Sequence, residues 1–415
     1  MSSVIAGSRR GPAIKYSPAL DGVRAKASAV EQEQVDFAED LSELREDPDI
    51  VALIGKAKRN EKNPPRKHHV VPASFLRRWT EERQLRVTEV DEGRSWITTA
   101  EKAGRRTDYY NLASEDLDPD QVPPLLAETL LSEIEALGKN AIDALLDKGV
   151  KDLSHQERSD LAVFLGFQSV RGDSTREMIR KVANDDFKIQ YGQLNNDGIR
   201  RELIKRGLEA TEASVAESAK FITDLNEGSV TVGPQRPAEV MHAFQMALKV
   251  AEVLYDRHWA TFKTAPILLT CDEPVIPLGC PGDNRAELTG IADARAIIFP
   301  LAPDSLLVMF RNPPSARTLA PLTHQELAEI NHEVIAHAAR WAFERPRRKT
   351  SMALRVPPRP QATQIVEHEV TGKPNTSIVR LFKPSRWAES SHPPTWPVSK
   401  WLWHSPFSHR GSPQP

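Results

Sequence analysis

The chain has 415 residues, of which 40% are hydrophobic and 27% are charged, and its formal net charge is −2. That length allows one large core with extensions, or two domains, and the composition is typical of a globular protein. A charge so near zero excludes a molecule-wide field that attracts nucleic acid or anionic membranes, so any such binding has to be local.

The cysteines and the hydropathy limit the class of protein and the compartment in which it is expected. Cys271 and Cys280 are the only two cysteines, which excludes a disulfide framework and a four-cysteine zinc site. No run approaches the roughly 20 apolar residues of a membrane-spanning helix. Residues 1–15 also lack the apolar centre of a secretory signal. We therefore expect a soluble, cytoplasmic protein that has no membrane as a partner.

The pattern of residues 1–63 predicts a weakly helical N-terminal extension. Residues 27–46 carry only a thin apolar stripe, so a helix there needs a partner surface to persist. Asp47 and Pro48 are the cap and first-turn residues of a further short helix. The double proline at 64–65 favours extended backbone, so the folded core is expected to begin there.

Residues 64–345 alternate between β patterns and helical periods. Alternating apolar residues predict a hairpin of 84–90 with 96–99, and short β segments over 258–310 that include a second hairpin, 296–300 with 306–310. Helical spacing predicts helices over 123–149, 154–171, 174–191, 199–204, 211–225 and 238–255, and a last one from 323 through 341. The sequence therefore predicts an α+β fold, with a predominantly helical body and small antiparallel β-sheets.

The tail, residues 346–415, is rich in proline and tryptophan. Its spaced prolines and polar residues predict a largely disordered segment, because so few apolar residues cannot offset the chain entropy lost on folding. Alternation within residues 364–382 is compatible with a hairpin. Exposed tryptophan indicates a protein partner or docking back onto the core. The tail carries four tryptophans, namely Trp387, Trp396, Trp401 and Trp403.

Several residue groups recur in a characteristic order along the core. They are His68-His69 with Pro72, Phe75-Leu76 and Trp79; Tyr109-Tyr110-Asn111; Gln168 and Arg171; Leu269 to Pro274; Phe299-Pro300-Leu301; and Asn331. In this order they resemble the uncharacterised microbial family known as domain of unknown function 4238, over roughly residues 66–345. That resemblance implies no established activity. The family typically has Thr-Ser-Asp where this chain has Thr270-Cys271-Asp272, so a role of Asp272 would have to tolerate the cysteine.

The histidine pair is also similar to the core of the His-Asn-His nucleases. That similarity implies His68 as a ligand of a divalent metal ion, His69 as the general base and Asn111 as the residue that orients the base. Two features depart from the nuclease pattern. Asn111 follows His69 by 42 positions (111 minus 69), and the next histidine along the chain is His155. The second metal ligand would then be Asp272 or His155.

Two functions remain open at this point, beside a purely structural role. The first is metal-assisted phosphodiester hydrolysis, with a divalent metal ion as cofactor and nucleic acid as substrate. The alternative is a non-catalytic sensor or interaction module, which binds an anionic ligand through Arg171 with Gln168 on the same helix face and uses the tail as a protein contact. For Gln168 and Arg171 the alternative is a buried polar network that pins the end of the helix, and the sequence favours that alternative. We expect His68, His69, Asn111, Gln168, Arg171 and Asp272 to converge on one site.

Overall fold

The computed structural model describes residues 4–5, 48–60, 66–115, 117–283, 285–360, 364–369 and 377–402. The helix predicted over 27–46 and the fourth tail tryptophan, Trp403, lie outside these residues.

The described elements follow a mixed order along the chain. The helices are α1 (Pro48–Asn60), α2 (Ala73–Leu76), α3 (Leu126–Lys148), α4 (His155–Val170), α5 (Asp173–Tyr191), α6 (Asn196–Lys205), α7 (Glu212–Glu227), α8 (Arg236–Tyr255), α9 (His324–His337), α10 (Thr350–Ala353) and α11 (Ser399–Leu402). The strands are β1 (Val4–Ile5), β2 (Lys67–His69), β3 (Gln84–Glu89), β4 (Ser95–Thr99), β5 (Arg105–Thr107), β6 (His258–Lys263), β7 (Thr270–Cys271), β8 (Ile276–Leu278), β9 (Ala296–Ala302), β10 (Ser305–Phe310), β11 (Trp341–Glu344), β12 (Gln364–Glu369) and β13 (Ser377–Phe382). The predicted α+β class is confirmed.

The helical body forms around α3, α4 and α8, which pack side by side. The helices α4 and α8 approach closely at Gly166, where a Cβ would lie 2.3 Å from the backbone oxygen of Ala247. The start of α4 is the predicted capping box, because Ser154 Oγ accepts the Glu157 amide and the Glu157 carboxylate accepts the Ser154 amide. This fixed start and the tight packing hold the opposite end of α4 beside the histidine segment.

Two antiparallel sheets of four strands pack on this body, in the orders β6-β10-β9-β8 and β4-β3-β11-β7, and β2 pairs with β5. In the first sheet, the strands β8, β9 and β10 are buried on both faces. Along β9, Ile297 and Phe299 belong to the core that contains the helical body, whereas Ile298 belongs to a second core with α9 and the tail. Alternate residues of a strand point to opposite faces, so one sheet serves both cores.

The last long helix is shorter than the sequence predicts. The helix α9 ends at His337, and Trp341–Glu344 form β11, which pairs with β3 and β7. The prediction of a helix through Trp341 is therefore wrong. All four residues of β11 are buried, and a short apolar run with both faces buried has no period that separates strand from helix.

The tail also departs from its prediction, because residues 383–402 pack on the core instead of remaining disordered. Trp401 is 2% exposed, and its ring centroid lies 5.4 Å from that of Phe262 and 6.0 Å from that of Phe310. Trp387 and Trp396 are buried as well. Three large indole rings bury enough apolar area to anchor a segment that is otherwise polar.

Earlier in the tail, β12 and β13 belong to a further small sheet. The strands β12 and β13 pair antiparallel, and β1 adds to β13. The connection between β12 and β13, residues 370–376, lies outside the described residues. No helix in the described part of the chain is both long enough and apolar enough to cross a membrane.

Candidate functional site

His68 lies inside the protein, on β2. Its side chain is 1% exposed, its Nδ1 accepts the backbone amide of Tyr110 at 2.8 Å, and its ring stacks on Tyr110 with an angle of 2° between the planes. A carboxylate oxygen of Glu128 lies 3.9 Å from the same nitrogen. A nitrogen that accepts an amide proton is itself unprotonated, so in the neutral ring the proton is on Nε2.

His69 is half-buried and faces Arg105. Its Nε2 lies 3.1 Å from Arg105 Nε and 3.2 Å from the backbone oxygen of Glu101. Burial and the Arg105 guanidinium lower the pKa of His69 to about 4. The ring is therefore neutral at pH 7, and Nε2 accepts the Arg105 hydrogen bond. A general base works best with a pKa near the operating pH, so this environment makes His69 a weak one.

Arg171, at the end of α4, holds the histidine segment by its backbone. Its guanidinium donates to the His69 carbonyl at 2.6 Å, to the Tyr110 hydroxyl at 2.9 Å and to Glu135 at 2.8 Å. These contacts use Nη2, Nε and Nη1 in turn. Because each nitrogen of this buried fork already has a partner, Arg171 joins protein segments in this structure instead of facing a ligand.

Gln168, one turn earlier on α4, also binds the backbone next to the histidine pair. Its side-chain nitrogen donates to the backbone oxygen of Val70 at 3.2 Å, whereas its buried Oε1 has no hydrogen-bond partner among the described residues. The structure thus brings together most of the residues singled out from the sequence. We call His68, His69, Tyr110, Gln168 and Arg171 the landmark network.

Asp272, the predicted metal ligand, is occupied by backbone amides. One carboxylate oxygen accepts the Ala339 amide at 2.9 Å, and the other accepts those of Arg340 at 2.8 Å and Trp341 at 3.0 Å. Burial and the neighbouring Glu273 raise the pKa of Asp272 to about 7, while the three amides act in the opposite direction. Its position is therefore set by the turn between α9 and β11.

The other candidate residues are engaged locally. Asn111 Oδ1 accepts the Ala113 amide at 2.8 Å, which closes a turn and gives this oxygen a partner other than His69. His155 Nδ1 lies 3.0 Å from the Tyr255 hydroxyl. Among the residues that the structure describes, no three His, Cys, Asp or Glu side chains are grouped so as to hold a metal ion.

A second polar cluster lies where α4 gives way to α5. Glu273 is buried, and its carboxylate accepts the Ser174 amide in the first turn of α5 at 2.9 Å. Burial acts to raise the pKa of Glu273, but Lys383, Arg359 and His337 approach closely enough to lower it overall. Three chain segments that lie far apart in sequence therefore place basic side chains around one carboxylate.

We call His337, Arg359 and Lys383 the donor cluster. Each of the three is half-buried, so solvent reaches it. The hydrogen bonds of Arg359 use only Nη2, which contacts Ser174 Oγ and lies 3.1 Å from Glu177. Within the described part of the chain, Nε and Nη1 of Arg359, the His337 ring and the Lys383 ammonium make no hydrogen bond or ion pair.

The carboxylates nearby, in contrast, already have hydrogen-bond partners. Asp173 is paired with Arg106, Glu177 with Arg359, and Glu273 with the Ser174 amide. Unused donors beside occupied carboxylates can satisfy their hydrogen-bonding capacity with an incoming anion.

Burial tunes two members of the donor cluster. It lowers the pKa of Lys383 to about 8, against the attraction of Glu273, and it lowers the pKa of His337 to about 4. At pH 7 Lys383 is therefore mostly an ammonium ion, and His337 is a neutral ring with one N–H donor.

The sequence contained little that points to this cluster. Arg359 and Lys383 belong to the tail, whose composition predicts disorder, and the histidines of α9 fall on different faces. Glu273 was visible only as a neighbour of Asp272 in the Leu269 to Pro274 group. The local sequence does not predict that Arg359 and Lys383 approach Glu273, because that approach requires the tail to fold back onto the core.

The fold and the two clusters define an α+β protein with a buried structural network and a half-buried group of unused donors beside it. The family model described as protein of unknown function DUF4238 matches residues 67–348, which is more than half of the chain. The chain belongs to this family, and the resemblance seen in the sequence is confirmed. No curated protein and no solved structure matches the chain. Glu273 and His337 lie inside the matched region, whereas Arg359 and Lys383 lie beyond it.

Proposed function

We propose that this protein binds an anionic small molecule at the donor cluster. The observation that carries the proposal is the imbalance at this site. His337, Arg359 and Lys383 have unused N–H groups that solvent can reach, whereas the carboxylates around them already have partners. A phosphate or carboxylate supplies the acceptors that such a site lacks, and the planar Arg359 fork suits either group.

The surroundings support an anion in this place. Ser174 lies in the first turn of α5, a helix of 19 residues, and the N-terminus of a helix carries partial positive charge. Burial strengthens charge-assisted hydrogen bonds, because fewer water molecules compete for the ligand. The carboxylates of Glu273 and Glu177 offset the cost of holding two cations close together before the ligand arrives.

This proposal keeps the anionic ligand predicted from the sequence but assigns it to other residues. Arg171 has three protein partners, so its role is structural. It fixes the end of α4, which leads directly into α5. The metal-assisted hydrolase remains a prediction. The adjacent histidines support it, while the partners of His68, Asn111 and Asp272 leave it without a set of ligands among the described residues.

Isothermal titration with inorganic phosphate at low ionic strength tests the proposal. We expect Lys383→Met to weaken phosphate binding at least about tenfold, the equivalent of about 1.4 kcal/mol, because it removes one charge-assisted hydrogen bond. Lys249→Met is the matched control, since Lys249 is an exposed lysine on α8. It should bind phosphate as the wild type does.

Raising the salt concentration should weaken binding to the wild type more than to Lys383→Met, because the variant has one cation fewer to be screened. A wild-type protein that binds no phosphate would overturn the proposal. So would equal affinities in the wild type and Lys383→Met.

A further inference from the structure

We infer that the Lys383 ε-amine is a nucleophile that forms an imine with the carbonyl group of an anionic aldehyde or 2-oxo acid. The inference rests on the proposed function, because the anionic part of the compound would be held by the same donor cluster. It adds the class of ligand and a covalent step at one named atom.

Lys383 is a half-buried lysine that lies beside Arg359 and Glu273. Lys148 and Lys400 are each paired with a carboxylate, Glu157 and Glu326, at 2.7 and 3.0 Å. The Lys383 ammonium has no such partner among the described residues, although it is half-buried. An amine without an ion-pair partner is free to turn its lone pair toward a bound electrophile.

The groups that face Lys383 come from several elements. Glu273 and Asp272 follow β7, Glu177 lies on α5, and Arg359 comes from the segment after α10. His337, at the end of α9, interacts with the same amine. Burial and the positive Arg359 favour the neutral amine, and the carboxylates oppose them. The net effect lowers the pKa of Lys383 to about 8, against about 10.4 for an unperturbed lysine.

The reaction balances with the carbonyl compound as the only co-reactant. The neutral amine attacks the carbonyl carbon, a C–N bond forms, and the carbonyl oxygen takes up a proton to give a carbinolamine. The nitrogen then loses its remaining proton to the departing hydroxyl group, so that water leaves and a C=N bond remains. Arg359 would hold the phosphate or carboxylate, and water that reaches the half-buried amine passes the proton from nitrogen to oxygen.

Pyridoxal 5′-phosphate is a suitable probe, because it joins a phosphate to an aldehyde. The full-length protein is treated with it at pH 7, reduced with borohydride to fix any imine, digested and analysed by mass spectrometry. We expect Lys383 to be labelled about tenfold more than the exposed Lys249, because a lowered pKa leaves more neutral amine at pH 7. Labelling of Lys383 should rise with pH and level off above about 8.

Two controls separate this inference from the proposed function. Pyridoxine 5′-phosphate carries the same phosphate without an aldehyde, and Lys383→Arg keeps the positive charge without a primary amine. The variant should bind pyridoxine 5′-phosphate yet lose the label at position 383. If the wild type binds pyridoxine 5′-phosphate through Lys383 but is labelled no faster there than at Lys249, the imine is rejected and the anion site stands. If neither compound binds at the donor cluster, both proposals fall.

Discussion

At the scale of single residues, burial of a polar side chain has different meanings in the two clusters. The landmark network directs its hydrogen bonds at backbone atoms, as when Arg171 and Gln168 donate to the carbonyls of His69 and Val70. A side chain that binds backbone in this way fixes the course of the chain. The donor cluster leaves N–H groups unused at a half-buried position, which is the expected state of a site before its ligand binds.

This difference predicts the effect of replacing His68. In His68→Leu the buried Tyr110 amide loses its acceptor, and the ring stack is lost with it. We expect the free energy of unfolding to fall by about 1–3 kcal/mol, the usual cost of a buried donor without a partner. Urea unfolding followed by circular dichroism measures this loss. His324→Leu, at an exposed position on α9, should unfold as the wild type does.

Elemental analysis of the same preparations separates the structural role of His68 from the metal-ligand role. A divalent metal present at one equivalent in the wild type and in His324→Leu, but absent from His68→Leu, would favour the hydrolase prediction. Equal metal content together with the loss of stability is the outcome that we expect.

The sequence identifies the residues of the landmark network better than their roles. Adjacent histidines before a proline, and a glutamine and an arginine on an apolar helix face, are visible without a structure. Their partners are not visible, because Arg171 binds a carbonyl 102 positions away and His68 binds an amide 42 positions away. The positions of Arg359 and Lys383 are even harder to predict, because the sequence of a polar tail does not indicate which of its basic residues pack against the core.

At the scale of elements, one carboxylate decides where a helix ends and a strand begins. Asp272 accepts the amides of Ala339, Arg340 and Trp341 directly after α9. These amides would otherwise be left without acceptors as the chain turns from helix to strand. The turn delivers β11 to its place between β3 and β7, and it leaves His337 beside Glu273.

Asp272→Ala should therefore cost about 2–5 kcal/mol of unfolding free energy, because three amides, two of them buried, lose their acceptor together. Asp293→Ala, at an exposed position, is the matched control and should change the unfolding midpoint little. Chemical denaturation of both variants gives the comparison. A variant at position 272 as stable as the one at 293 would show that the amides find other acceptors, and that Asp272 is free for a different role.

Element ends are predictable where the chemistry that sets them is local. The capping boxes at Ser154 and Thr323 lie within four residues, and both helix starts follow the sequence signal. The end of α9 depends instead on Asp272, which lies 67 positions before Ala339. The apolar run through Trp341 has no breaker of its own, so local reasoning continues the helix too far.

At the scale of the whole molecule, the β6-β10-β9-β8 sheet separates two cores, and the tail belongs to the second. Trp396, Val398, Trp401 and Leu402 pack there with α9 and with one face of the sheet. Arg386 reinforces this docking by donating to the backbone oxygens of Ala336, Ala338 and Pro357. The tail thus carries Lys383 to the donor cluster and covers an apolar face that the helical body does not reach.

The average composition of the tail gives no indication that it packs on the second core. The α+β class and the two hairpins of the core follow from periodicity alone, because each strand or helix shows its own pattern. In the tail, prolines and polar residues outnumber the apolar ones, so the same reasoning predicts disorder. A few tryptophans outweigh that average, since the area that each ring buries is several times that of a small apolar side chain.

Trp401→Ala tests whether the tail is part of the folded molecule. Trp401 is 2% exposed, and replacing a buried tryptophan by alanine typically costs about 3–5 kcal/mol through lost contacts and the cavity left behind. Trp96→Ala is the matched control, because Trp96 on β4 is 41% exposed and should cost far less. Urea unfolding of both variants should give one cooperative transition, shifted strongly only for Trp401→Ala. A shift of the same size in both variants would mean that the tail adds little to the second core, and that Lys383 is not held at the donor cluster by tail docking.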